Sequence, residues 1–259
     1  MYSKIALSIG GSDSGGGAGI QADLRTFMAL KLHGCSVITC ITAQNSIEVT
    51  CVEPVEKNTL LSQLDTLFVD FGIDALKTGM LLNERIINDT ASKLNTYTIT
   101  KIIDPVMVTR TGSKLLEDSA INAYKKLLLP IADLVTPNIY EANLLSGLEI
   151  RSKEDIENSA RNIIGLGTKA VLIKGGGLED MKGKDFFIDL NGRKQWLFNK
   201  FINTTNTHGS GCTLSAAICG YKALGFDLLD SIQKAKLFVE KSLENSYKIG
   251  YGPGPLGHH

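Results

Sequence analysis

Short runs of β-branched and other apolar residues alternate along the chain with longer stretches whose apolar positions recur every three or four residues. The runs at 4–9, 36–42, 75–78, 101–104, 134–136 and 170–174 read as strands. Between the second and third of these, Leu60, Leu61, Leu64, Leu67, Phe68 and Phe71 fall on one helical face, which must cover a sheet. Such alternation predicts βα units and a mainly parallel sheet. The stretches 185–190 and 194–198 flank Asn191-Gly192-Arg193, so a short antiparallel hairpin turning at Asn-Gly is expected to extend that sheet. No linker, charge block or internal repeat interrupts the chain, and the expectation is one α/β domain over residues 1–259.

Composition narrows the class of partner. Apolar residues make up 43% of the chain, enough to fill a sizeable core. Twenty-seven basic and 27 acidic residues cancel, so no overall field favours nucleic acid or an anionic membrane, and small molecules are the expected partners. No apolar run approaches the roughly 18 residues of a membrane-spanning helix, and glycines at 10 and 11 arrive too early for a signal peptide. A soluble cytoplasmic protein is expected. The five cysteines make neither a CxxC pair nor a zinc pattern and read as reduced thiols. Cys35, Cys40, Cys51 and Cys219 are expected to be small buried apolar residues.

Candidate functional groups fall at the carboxyl ends of the expected strands, the edge where open α/β sheets bind ligands. Gly10 to Gly19 follows the first strand, Gln44 the second, Gly79-Met80 the third, Asp104 the fourth, Asn138 and Glu141 the fifth, and Gly175 to Gly177 the sixth. Gly17-x-Gly19-x-x-Ala22 loosely matches a dinucleotide fingerprint, yet the next strand ends at Gln44 with no acidic residue to hold a ribose. The stretch reads better as a loop around a small polar substrate, with Asp23 and Gln44 offering hydrogen bonds. No GxxxxGK[ST] string occurs, so a phosphate needs another cradle.

The string Asn206-Thr-His-Gly-Ser-Gly-Cys-Thr213 precedes a segment of small and apolar residues suited to a closely packed helix. Its glycines can present backbone N–H groups at a helix N-terminus, where the dipole favours negative charge. It therefore fits an anion site for a transferring phosphoryl group, and it also fits an ordinary capped turn. Cys212 at the helix start should have its thiol pKa lowered, which suits a base accepting a hydroxyl proton; a packing role suits it too. Asp104 and Glu141 can hold Mg²⁺ through water, and Lys174 can reach a nucleotide phosphate. His208 is expected to be structural. Met80 and Met107 suit either the core or a substrate wall.

Together, ALSIGGSDSGGGAGIQADLRTF, GCSVITCITAQNS, LKTGM, DPVM, LVTPNIYEA, VLIKGG, NTHGSGCTLSAAI and the closing GYGPGPLGHH resemble the ribokinase-like superfamily. Within it, the chain is similar over nearly its whole length to the hydroxymethylpyrimidine/phosphomethylpyrimidine kinases of thiamine biosynthesis. The resemblance implies a three-layer α/β/α fold, commonly a homodimer. It also implies ATP-dependent phosphorylation of 4-amino-5-hydroxymethyl-2-methylpyrimidine and then of its monophosphate. On the matched motifs, Gln44 would bond the aminopyrimidine, with Gly11, Ala18, Asp23, Met80 and Val106 around it. Asp104 and Glu141 would organise Mg²⁺, Lys174 and Asn138 would serve ATP, and Gly209, Ser210, Gly211 and Cys212 would form the anion hole. Sugar kinases of the superfamily carry an aspartate base where Cys212 stands here. A pyridoxine or pyridoxal kinase is the nearest alternative. An NAD(P)-binding oxidoreductase built on Gly17 to Ala22 would leave the anion string unexplained, and a silent ligand sensor would need a damaged anion loop or lost carboxylates, neither of which the sequence has.

Overall fold

The computed structural model describes residues 4–107 and 116–259. In chain order the elements are β1 (Ile5–Asp13), α1 (Gly19–Ala29), β2 (His33–Gln44), β3 (Val49–Pro54), α2 (Lys57–Asp70), β4 (Ala75–Thr78), α3 (Glu84–Leu94) and β5 (Thr100–Ile103). There follow α4 (Asp118–Ala123), β6 (Leu134–Val135), α5 (Ile139–Ser146), α6 (Lys153–Ile164), β7 (Ala170–Lys174), β8 (Lys184–Asp189), β9 (Lys194–Phe198), α7 (Ser210–Ala223) and α8 (Leu228–Glu244). The strands are mainly parallel and are flanked by helices, the expected α/β class. The chain forms two compact units, one comprising the residues up to Leu81 with Ile202–His259, the other Leu82–Phe201.

In the first unit the strand order is β3-β2-β1-β4. β1 runs parallel to β2 and β4, while β3 turns back antiparallel along β2. The expected loop after residue 9 begins later than the sequence suggests. Gly10 and Gly11 remain in β1, which stays paired with β2 as far as Asp13 opposite Thr42, with an irregularity between Gly10 and Ser12. Strand β3 was not anticipated because burial does not pattern it; its residues are exposed up to the half-buried Pro54. Cys51 lies on that strand and is exposed, which corrects its expected burial, whereas Cys35, Cys40 and Cys219 are buried and none of the five cysteines is in a disulfide. Helix α2 keeps the predicted face, although only Leu60 and Leu64 are fully enclosed. Helices α1 and α7 pack together on β1, and α8 covers α7.

In the second unit the order is β5-β6-β7-β8-β9, with β5, β6 and β7 parallel and β8 and β9 antiparallel. The expected hairpin is β8–β9, and Gly192 takes the left-handed φ of +80° that its turn demands. Trp196 on β9 packs on Phe186 of β8 with ring centroids 5.0 Å apart. Among the described residues, no helix is long and apolar enough to cross a membrane.

Candidate active site

In the first unit, the end of β1 organises the glycine-rich loop through Asp13, which is buried. Its Oδ1 accepts from the amide of Gly15 at 2.8 Å, and its Oδ2 from the amides of Gly17 at 3.1 Å and Ala18 at 2.8 Å. Burial acts to raise the Asp13 pKa, but the bond from His208 and those amides outweigh it and hold the carboxyl below its ordinary value. The loop then enters α1 at Gly19, whose φ is +56° and whose missing Cβ makes room for the Gly11 carbonyl. No sequence argument singled out Asp13. The available signal was an aspartate opening a glycine-rich loop, where a carboxylate can bond amides two or more residues ahead.

Helix α7 begins at Ser210, and Gly209 before it has φ of +84°. A Cβ at Gly209 would run into the Gly17 carbonyl, so the anion string lies directly on the loop that Asp13 organises. The amide of Ser210 donates back to the Thr207 carbonyl at 3.2 Å. The amides of Gly211 and Cys212 belong to the first helical turn, at the positive end of its dipole. Cys212 is partly buried there. The closing segment braces the string: Gly254 donates to Asn206 Oδ1 at 2.9 Å, and the His208 amide donates to the Gly254 carbonyl at 3.1 Å. His208, expected to be structural, sets its ring against Asp13 and Gln44. Its Nε2 is 2.9 Å from Asp13 Oδ2 and 3.4 Å from the side-chain amide of Gln44.

Gln44 ends β2, and its backbone is clasped by Ser14, whose hydroxyl donates to the Gln44 carbonyl at 2.7 Å and accepts from the Gln44 amide at 2.8 Å. Gly11 lies against Met80, where a Cβ would come within 2.8 Å of the Met80 methyl carbon and 2.9 Å of Cys40 Sγ. The first unit thus assembles Gly11 with Met80, and Ala18, Gln44 and Gly209 about the Asp13–His208 pair. Asp23 stands apart from them. Its carboxylate is enclosed with Lys77, whose Nζ lies 3.0 Å and 3.1 Å from its two oxygens, and it accepts from Ser8 Oγ at 2.6 Å.

In the second unit, the ends of β5, β6 and β7 bring Asp104, Glu141, Lys174 and Asn138 together. Asp104 is buried, and its Oδ1 accepts from Thr136 Oγ1 and Lys174 Nζ, both at 3.2 Å. Asn138 caps α5 in a reciprocal box. Its Oδ1 accepts from the Glu141 amide at 2.9 Å, while its own amide donates to Glu141 Oε2 at 2.8 Å. Burial pushes the Glu141 carboxyl up to about 7 and the negative charge of Asp104 adds to the rise, against the opposing pull of Lys174 and of bonds from backbone amides. A buried Glu141 carboxyl beside the buried Asp104 suits a divalent cation, which would offset their negative charge; two protein carboxylates are also the number Mg²⁺ commonly takes while keeping its waters. Val106 follows closely, its amide donating to the Asp104 carbonyl at 2.9 Å. Met107 is fully buried.

The fold is that of the ribokinase-like kinases. The pyridoxal kinase of Bacillus subtilis, solved as an ADP complex, superposes with a TM-score of 0.92 at 36% identity, covering 98% of this chain and 97% of that one. The phosphomethylpyrimidine kinase of Clostridium difficile 630 superposes with a TM-score of 0.84 at 36% identity, covering 93% and 99%. The family model for phosphomethylpyrimidine kinase matches residues 13–257, and the chain belongs to that family. Curated relatives named hydroxymethylpyrimidine/phosphomethylpyrimidine kinase include that of Synechococcus elongatus, 49% identical over 100% of this chain and 98% of its own. That of Escherichia coli K12 is 39% identical over 98% and 96%.

Proposed function

We propose that this chain transfers the γ-phosphoryl group of ATP to the hydroxymethyl oxygen of 4-amino-5-hydroxymethyl-2-methylpyrimidine, and then phosphorylates the monophosphate, for thiamine diphosphate synthesis. The observation that carries this reading is the anion string set at the start of α7, with Cys212 in its first turn, in a chain of the phosphomethylpyrimidine kinase family. Gln44, Gly11, Ala18, Met80 and Val106 surround the pyrimidine, while Asp23 is held in the core by Lys77. Cys212 takes the hydroxyl proton as the substrate oxygen bonds to the γ-phosphorus and the bond to the bridging oxygen breaks, releasing ADP. The transition state is loose, so positioning and charge stabilisation dominate and a weak base suffices. Amides at the start of α7, those of Gly209, Gly211 and Cys212, stabilise charge on the transferring group, with Ser210 shaping the turn between them through its bond to Thr207. Lys174 and Asn138 serve the nucleotide. Asp104 and Glu141 hold Mg²⁺, which when bound neutralises phosphate charge. Both units act as one kinase domain, and the enzyme is read as a cytoplasmic homodimer with small-molecule substrates.

Purified protein with Mg-ATP, offered hydroxymethylpyrimidine, its monophosphate and pyridoxal in parallel with ADP release measured, tests this reading. Turnover of both pyrimidines is expected. Turnover of pyridoxal alone would install the pyridoxal kinase alternative, whose support is the likeness to solved pyridoxal kinases. Cys212→Ala should lower kcat far more than it raises KM for ATP; unchanged kcat removes the thiol as base.

A further inference from the structure

Around Gln44, the atoms that can give or accept hydrogen do not match unless the amide has one particular orientation. With Gln44 Nε2 toward His208 and Oε1 toward Thr42, as the contacts at 3.4 Å and 3.3 Å have it, two mismatches arise. Asp13 Oδ2 only accepts, so the hydrogen in its 2.9 Å contact with His208 must sit on Nε2. A protonated Nε2 then faces the Gln44 NH₂, donor against donor. Thr42 has one hydroxyl hydrogen, and the Ser12 carbonyl, which can only accept, takes it at 2.9 Å. Its oxygen therefore meets Gln44 Oε1 lone pair to lone pair. Turning the amide by half a revolution exchanges two groups of nearly equal size and removes both mismatches. The His208 Nε2–H, given mainly to Asp13 Oδ2, then meets Oε1 as a second acceptor, and Gln44 Nε2 donates to Thr42 Oγ1.

We infer that Asp13, by holding the hydrogen on His208 Nε2, fixes the Gln44 side chain with Oε1 toward His208 and Nε2 toward Thr42, and so sets the order of donor and acceptor that the substrate meets. Asp13 and His208 are positioning residues in this scheme. The fixed amide keeps one N–H and one oxygen lone pair, the complement of an aminopyrimidine edge that offers an amino donor beside a ring-nitrogen acceptor. A ring bearing only acceptors at that edge would leave one half of the amide unmet and should bind about tenfold more weakly. The inference rests on the reading of Gln44 as a pyrimidine ligand.

Two measurements test it. Long-range ¹H–¹⁵N spectra of the histidine rings, assigned against a His208 variant, should show hydrogen on Nε2 of His208; hydrogen on Nδ1 alone overturns the inference whatever the kinetics show. Steady-state kinetics on Gln44→Ala, His208→Ala and the double variant should give an increase in KM for hydroxymethylpyrimidine of about tenfold for each single change. The double variant should be no worse than Gln44→Ala in KM for hydroxymethylpyrimidine. His208→Gln, which can place a donor near the same position, should recover most of the affinity, and it stands in if His208→Ala does not fold. Full additivity in the double variant would mean that His208 acts by another route and would overturn the inference. An unchanged KM in Gln44→Ala would remove the ligand role of Gln44 itself, and the ring spectra would still decide the orientation.

Discussion

Glu141 offers a perturbation whose size and sign follow from its surroundings. Its carboxyl sits buried at the third position of α5, near Asp104, with its pKa raised from an ordinary 4.5 to about 7. The folded chain therefore keeps this proton where the unfolded chain has released it. The associated stability is fully present below pH 4.5 and is lost as pH rises to 7, a loss of about 3 kcal/mol. Glu141→Gln removes the titration while keeping the cap, because a glutamine oxygen can still accept from the Asn138 amide. In chelator, the variant should match the parent at pH 4.5 and exceed it above pH 7, by roughly 6–12 °C in melting temperature at about 2–4 °C per kcal/mol. Trp196, the single tryptophan, lies in the same unit as Glu141, and its fluorescence follows the unfolding that matters. Added Mg²⁺ should stabilise the parent above pH 7 and leave the variant unmoved, since the ion takes the ionised carboxylate. Parallel stability curves for parent and variant between pH 4.5 and 8 would refute the reasoning, and equal Mg²⁺ stabilisation of both would remove Glu141 from the metal site.

Two other changes probe the first unit. Asp23→Asn deprives the enclosed Lys77 of its anionic partner and should cost about 3–5 kcal/mol in urea denaturation, whereas Asp23→Leu combined with Lys77→Met should recover most of that loss; equal losses in both would show that packing, not charge, sets the cost. Gly209→Ala forces a left-handed backbone at about 1–2 kcal/mol and drives a methyl into the Gly17 carbonyl. Its kcat should fall more than tenfold, measured by ADP release, and parental turnover would mean that the string tolerates displacement from the glycine-rich loop.

The sheet and the strand-end groups were legible because their signals are local. A short strand with both faces covered is nearly all apolar, as 170–174 is, and the Asn-Gly turn of β8–β9 is written in two letters. Strand β3 was not legible, since an exposed edge strand imposes no alternation for burial to reveal. Asp23 illustrates a second limit. The sequence shows a carboxylate one turn into a helix after a glycine-rich loop, but its partner Lys77 lies 54 residues on, and only the β1–β4 pairing that aligns Ser8 with Lys77 puts ammonium and carboxylate together in the core.

The same limit explains why the glycine-rich loop and the anion string were read as separate features. Asp13 and His208 are 195 positions apart, and neither residue type carries a spacing that announces the other. What couples them is the absence of side chains. Gly17 leaves room for the His208 ring, and Gly209 leaves room for the Gly17 carbonyl, so the two loops interlock at backbone distance. Asp13 then acts on both, bonding the amides of one and the ring of the other. A substitution at Asp13 should therefore disturb substrate orientation and phosphoryl transfer together. One at Gln44 should disturb the first alone, so kcat separates the Asp13 variant from the Gln44 variant even where their effects on substrate KM coincide.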